Sequence, residues 1–142
     1  MVPAEGTKTY IYRLKGCLGT YSQTVIIDSR EDMNELTAKL KQSGLSDESQ
    51  IIKRLSGYTD DYFKENAVIF SGYNAPTSSV KFESADIYAA YSNAYLSVNV
   101  SVHETFNEEE LYCAFVSEIS ISALGYDKEN SLAYLRGNVQ YD

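Results

Sequence analysis

From Leu96 to His103 the chain alternates without a break: Leu96, Val98, Val100 and Val102 are apolar, while Ser97, Asn99, Ser101 and His103 are polar. Successive side chains of a strand point to opposite faces, so this segment reads as a strand with one buried face and one wet face. A single wet face favours an antiparallel sheet. The start of the chain repeats the pattern: Tyr10, Tyr12 and Leu14 share one parity, and Arg13 and Lys15 the other. Thr24-Val25-Ile26-Ile27 and Ala67-Val68-Ile69-Phe70 are continuous runs, as expected of strands covered on both faces.

Helical punctuation separates those two runs. Ser29 with Asp32 three residues on approximates a capping box, and Met33, Leu36 and Leu40 follow on one helical face. Gly44 supplies the stop. A second short helix is expected from about Ser46 or Asp47 to Gly57, turning Ile51, Ile52 and Leu55 inward, and one further turn from Thr59 to Phe63. After Phe70, Gly72 to Ser79 with Pro76 reads as a loop. Val80 to Tyr91 and Tyr95 to His103 then form two strands joined across Ser92-Asn93-Ala94. Leu111, Cys113, Phe115, Ile119 and Ile121 outline another strand, and Leu132 to Tyr141 a closing edge strand. The expected fold is therefore α+β: an antiparallel β-sheet with two or three short helices packed on one face. No repeat or linker interrupts residues 1–142, so one globular domain is expected, with residues 1–8 as a flexible N-terminal segment.

Twelve basic against 20 acidic residues give a net charge of −8, which argues against a nucleic-acid binder that tracks phosphates. Much of that charge falls at helix starts (Glu31, Asp32, Asp47, Glu48, Asp60, Asp61), where carboxylates suit the macrodipole. No stretch approaches the roughly 20 apolar residues of a membrane-spanning helix. Met1 to Gly6 has neither a basic nor an apolar leader region, so a signal or anchor segment is expected to lie outside these residues.

Catalytic chemistry finds little to work with. His103 is the single histidine and falls on the wet parity of its strand. No Cys-x-x-Cys or paired histidines suggest a metal, and neither Glu108-Glu109-Glu110 nor Asp60-Asp61 fits a calcium loop. Phosphate-cradling glycine motifs are missing as well, and no cofactor is expected. The sequence therefore reads as non-enzymatic. Cys17 and Cys113, the two cysteines, leave two readings open: one internal disulfide, or two buried thiols acting as small hydrophobes.

The unusual feature is 13 tyrosines with no tryptophan, seven of them between Tyr58 and Tyr112. Tyr88, Tyr91 and Tyr95 crowd the expected hairpin tip, and Tyr73 lies in the loop before it. Tyrosine joins a large apolar face to a polar end, so exposed clusters favour binding interfaces. The competing structural reading is that these aromatics pair across strands and cover the sheet. Tyr58, Tyr62 and Phe63 are expected to plug the end of the sheet just before Val68-Ile69-Phe70.

The stretch Tyr58-Thr59-Asp60-Asp61-Tyr62-Phe63-Lys64-Glu65-Asn66-Ala67-Val68-Ile69-Phe70 carries a Tyr, an acidic pair, two aromatics, polar residues and an apolar strand. A Gly/Ser/Pro loop, a hairpin and a last strand follow. Over roughly Tyr58 to Leu124 this order resembles the C-terminal domain of PrcB-type protease-complex subunits and related extracytoplasmic, often lipoprotein, bacterial domains. The resemblance implies a secreted or surface-tethered accessory domain that contacts another protein, with no catalytic residues to carry over. The expected partner is thus a protein, such as a protease or cell-envelope component. The alternative is a carbohydrate- or wall-binding module using the tyrosine-rich hairpin edge.

Overall fold

The computed structural model describes residues 6–15, 21–75, 80–91, 93–102, 111–127 and 130–141. These form seven strands and four helices: β1 (Lys8–Lys15), β2 (Thr24–Ile27), α1 (Arg30–Gln42), α2 (Gln50–Ser56), α3 (Asp60–Phe63), β3 (Asn66–Ala75), β4 (Val80–Ala90), β5 (Asn93–Val102), β6 (Leu111–Ser120), α4 (Ile121–Leu124) and β7 (Ala133–Tyr141). The class is α+β, but the strands divide into two sheets where one was expected. One has the order β1-β6-β3-β2 and the other β4-β5-β7.

The division follows from which strands are apolar on both faces. In β3, Val68 and Phe70 enter one core while Ala67 and Ile69 enter another. In β6, Tyr112, Ala114 and Val116 face the first core, and Leu111, Cys113, Phe115 and Ile119 the second. A strand so placed needs a layer on each side. The first core is closed by Met33, Leu36 and Leu40 of α1, Ile51, Ile52 and Leu55 of α2, and Tyr58 and Phe63. The second is closed by Ile87, Leu96 and Val98 of the three-stranded sheet, with Leu124 of α4. The molecule is therefore three layers: helices, the four-stranded sheet, and the three-stranded sheet. The alternation first noted at Leu96 serves the second core, and its wet side is the outer face of the whole domain.

Most local expectations are met by their own chemistry. The Ser29 hydroxyl accepts from the Asp32 amide at 3.1 Å, and Gly44 ends the helix at φ 113°. Thr59 caps the single turn α3 through the Tyr62 amide at 3.2 Å. Four boundaries differ. Helix α2 starts at Gln50 because Ser49 is its N-cap, accepting from the Ile51 amide, while Ser46 to Ser49 make a turn. Ile121 belongs to α4, capped by the Ser120 hydroxyl on the Ala123 amide, not to the preceding strand. The β4–β5 hairpin turns at Tyr91, with φ 52°, so Asn93 and Ala94 are already strand.

The fourth difference is Gly72, expected in a loop and found inside β3. A Cβ there would overlap the Tyr21 carbonyl oxygen and the Tyr112 hydroxyl. Those two groups bond each other at 2.7 Å, and the Gly72 amide donates to the Gln23 carbonyl at 3.1 Å. Glycine lets the segment entering β2 lie directly on β3. Finally, β5 is antiparallel to β4 but parallel to β7. Parallel neighbours need a crossover, and the chain supplies one by leaving to build β6 and α4 before returning. His103, Cys17, Pro76 and Glu108 to Glu110 lie outside the described residues.

Candidate binding surface

The outer face of the three-stranded sheet is assembled by register. Tyr88 of β4 opposes Tyr95 of β5, which lies beside Tyr134 of β7. Their neighbours Ile87, Leu96 and Leu135 point the other way, into the second core, so the three rings stand in a row on the solvent side. Tyr95 and Tyr134 stack at 5.3 Å with planes 18° apart. Tyr88 and Tyr95 are half-buried, Tyr134 is 43% exposed, and Tyr91 at the turn is 96% exposed. The tyrosines thus pair across strands on the outer face, with Tyr91 and Tyr134 exposed and Tyr88 and Tyr95 partly so.

Below the row lies a polar lattice. Asn99 donates to the Ser84 hydroxyl at 2.7 Å, and Asn138 donates to the Ser97 hydroxyl at 3.2 Å and to Asn99 Oδ1 at 3.1 Å. These groups largely satisfy one another, and between them and the rings the exposed Asp86 and Arg136 flank Ser97 in register.

Tyr73 joins the same surface from the other sheet. It shares the parity of Ala67 and Ile69, the side of β3 that faces the three-stranded sheet, and is 40% exposed. Tyr73 and Tyr134 line a groove of about 670 Å³ with Gln23, Thr24, Asn74 and Leu135. Tyr134, a residue the sequence reading did not single out, therefore links Tyr95, on which it stacks, to Tyr73 across the groove. Tyr134 sits in a strand whose partner is parallel and 39 residues away, so nothing local marks it.

Tyr58, Tyr62 and Phe63 pack together as the sequence suggests. Their ring centroids lie 4.8 Å (Tyr58–Tyr62), 5.3 Å (Tyr62–Phe63) and 6.3 Å (Tyr58–Phe63) apart. The Tyr62 hydroxyl donates to the Ala67 carbonyl at 3.1 Å, closing the entry to β3. Tyr58 also reaches across to β6 and donates to Glu118 at 2.7 Å. Burial, reinforced by that bond, pushes the Tyr58 phenol well above its ordinary range; burial and the Glu118 charge do the same for Tyr62.

Beside them, Arg54 of α2 lies over the Tyr10 ring, 3.7 Å from its centroid, and its Nε donates to the Tyr12 hydroxyl at 2.9 Å. An open cleft of about 550 Å³ follows, lined by Tyr12, Gln50, Lys53, Arg54, Tyr58 and Glu118. The sequence shows Tyr10 and Tyr12 only as the inward parity of a strand; their pairing with Arg54 spans more than 40 residues.

Cys113 is a free thiol buried in the second core, and its candidate bridge partner Cys17 lies outside the described residues. Burial pushes this thiol up to about 12, so it stays protonated at neutral pH and is a poor nucleophile. Among the described residues no three His, Cys, Asp or Glu side chains converge as metal ligands would. Nor is any helix among them long and apolar enough to cross a membrane.

Together these features define a three-layer α+β domain with an aromatic outer face and a separate charged cleft. Comparison with protein-family models, curated proteins and solved structures finds no match for the chain.

Proposed function

We propose that this chain is a non-enzymatic accessory domain that binds a protein partner through the tyrosine surface running from Tyr91 along Tyr88, Tyr95 and Tyr134 to Tyr73. One observation carries the reading. Tyrosines on the helical side and under β2 commit their hydroxyls internally, as Tyr58, Tyr62 and Tyr112 do. By contrast, the hydroxyls of Tyr73, Tyr88, Tyr91, Tyr95 and Tyr134 bond no described residue. Exposed or half-exposed rings with uncommitted hydroxyls supply both the apolar area and the polar ends that protein interfaces favour. The resemblance of residues 58–124 to PrcB-type domains suggests the setting: a secreted or surface-tethered protein whose partner is a protease or cell-envelope component.

A carbohydrate-binding role is the second reading, favoured by the Asn/Ser lattice beside the rings. It is the weaker because a sugar stacks on a ring face, and Tyr95 and Tyr134 turn faces toward each other. The deciding experiment captures proteins from the source's secreted fraction with wild type and with a Tyr73→Ser/Tyr134→Ser variant, beside a glycan array. A protein enriched by the wild type and lost with the variant supports the first reading. Glycan binding with no enriched protein reverses the order.

A further inference from the structure

We propose that the cleft between α2 and the β1–β6 pair is a second, independent binding site. Its ligand is a small zwitterion of the amino-acid or short-peptide class, with its carboxylate on Arg54 and Lys53 and its ammonium on Glu118.

The cationic wall is built before any ligand arrives. Arg54 is fixed at two points, by its place over Tyr10 and by the Nε bond to Tyr12. Its two terminal nitrogens donate to no described residue, and they form the half of the guanidinium fork that grips a carboxylate in bidentate fashion. Lys53 lines the same cleft from the preceding position, largely exposed and held only by a loose surface pair with Glu48 at 3.5 Å, which a ligand carboxylate can replace. Lys8, whose ammonium is 5.1 Å from the Tyr10 ring centroid, stands opposite Glu118 in the β1–β6 ladder and does not line the cleft. The charged residues that line the cleft are Lys53 and Arg54 on one wall and Glu118 on the other.

The opposite wall is as specific. Glu118 is half-buried on the sheet, and Tyr58 holds Oε2 at 2.7 Å, which orients Oε1 as the open acceptor. Lys8 is its cross-strand neighbour, but no described Lys or Arg nitrogen comes within ion-pair distance of the Glu118 carboxylate. If Arg54 and Glu118 were only structural partners, they would neutralise each other. Instead each is held by a different tyrosine, and both charges face one cleft of about 550 Å³. That volume suits a small molecule, and the dipolar lining suits one carrying both signs. A purely anionic ligand would meet the Glu118 carboxylate, and a purely cationic one Arg54 and Lys53.

The test titrates the whole chain with glycine, glycylglycine, N-acetylglycylglycine and inorganic phosphate, following backbone and Arg side-chain NMR signals. The expected result is saturable shifts at Gly57, Arg54 and Glu118 with glycine or glycylglycine; whichever binds tighter reports the reach of the site. N-acetylglycylglycine, which lacks the ammonium, should bind about tenfold more weakly, as for losing one bond to a charged group. Glu118→Gln, isosteric and still able to accept from Tyr58, should weaken glycylglycine to a similar degree with an unchanged melting temperature. Arg54→Gln should do the same, and Glu118→Gln keeps the test valid if Arg54→Gln fails to fold. Unsaturable shifts overturn the proposal, as do phosphate binding as tightly as the zwitterions and full binding by folded Glu118→Gln. None of these outcomes depends on whether the tyrosine surface binds a protein.

Discussion

The two faces of the four-stranded sheet are covered by unlike layers, and the same residue type serves them differently. On the helical side, Tyr58 and Tyr62 are packed against Phe63 with their hydroxyls tied to Glu118 and to a backbone carbonyl. On the far side, the three-stranded sheet buries its aliphatic parity and leaves Tyr88, Tyr95 and Tyr134 in the open. A helix layer can cover a sheet while presenting charged residues outward, so its aromatics are free to serve the core. A three-stranded sheet has one inner and one outer face, and its outer residues must be tolerable to water while still forming strand. Tyrosine satisfies both demands, and so does a Ser/Asn lattice. The lesson is that a tyrosine count says little about function until each ring is assigned to a layer.

The sharpest way to break this comparison is to truncate one aromatic in each core. Phe63→Ala on the helical side and Phe115→Ala between the sheets should each cost about 3–5 kcal/mol in urea unfolding. Both rings are buried, Phe115 edge-on to Phe82 at 5.2 Å. A loss for Phe63→Ala below about 1 kcal/mol would show that α3 is not part of the core. If only one variant shifts the transition while splitting it in two, the layers unfold separately and the single-domain view fails.

Alkaline pH should act mainly through the two interiors. Tyr58 and Tyr62 have phenols raised in the folded state, Tyr126 is raised to about 12 by burial and by Asp28, and Cys113 is raised to about 12 by burial. A raised value means the folded chain keeps protons that the unfolded chain loses. Stability is then fully present below about pH 9 and falls as pH climbs toward 12 and beyond. Urea midpoints measured from pH 8 to 12 should trace this fall, and Cys113→Ala should remove the part that begins nearest pH 9. A flat profile would mean these hydroxyls and the thiol are solvated.

Gly72→Ala should cost about 1–3 kcal/mol, because the segment carrying Tyr21 must lift away from β3. Loss of the near-β2 hydrogen-exchange protection, with β6 still protected, is the signature to look for. At the small end, Tyr91→Ser should change stability by no more than about 0.5 kcal/mol. Tyr134→Ser should cost about 0.5–1.5 kcal/mol, the scale of its stacking on Tyr95. A larger loss for Tyr134 would move that ring from the binding surface into the structural frame.

Much of this molecule is written locally. The period-two runs mark the strands, Ser29 and Thr59 mark helix starts, and Met33, Leu36 and Leu40 mark the buried stripe of α1, because periodicity and capping act within a few residues. The α+β class follows from their order. The local signal misled where a residue answered to a distant partner. Gly72 looks like a loop residue because its reason, the backbone of Tyr21 lying against it, is 51 positions away. In β6 one parity is plainly apolar, while the other, Tyr112, Ala114 and Val116, is broken by Glu118 and shows its burial only once helices cover it.

The candidate sites divide in the same way. Tyr88 and Tyr95 could be grouped from the sequence because a hairpin brings them opposite each other. Tyr134 enters the row only through a parallel pairing that the crossover decides, and Tyr73 only through the groove between sheets. Arg54 with Tyr10 and Tyr12, and Glu118 with Tyr58, are likewise tertiary acts: cation, carboxylate and phenols come from β1, α2, β6 and the loop before α3. The sequence by itself determined which segments are strand or helix and which faces are apolar, since backbone geometry imposes those periods. Only the tertiary structure decided how many sheets those faces require and which polar ends meet, because that depends on satisfying two buried faces of β3 and β6 at once.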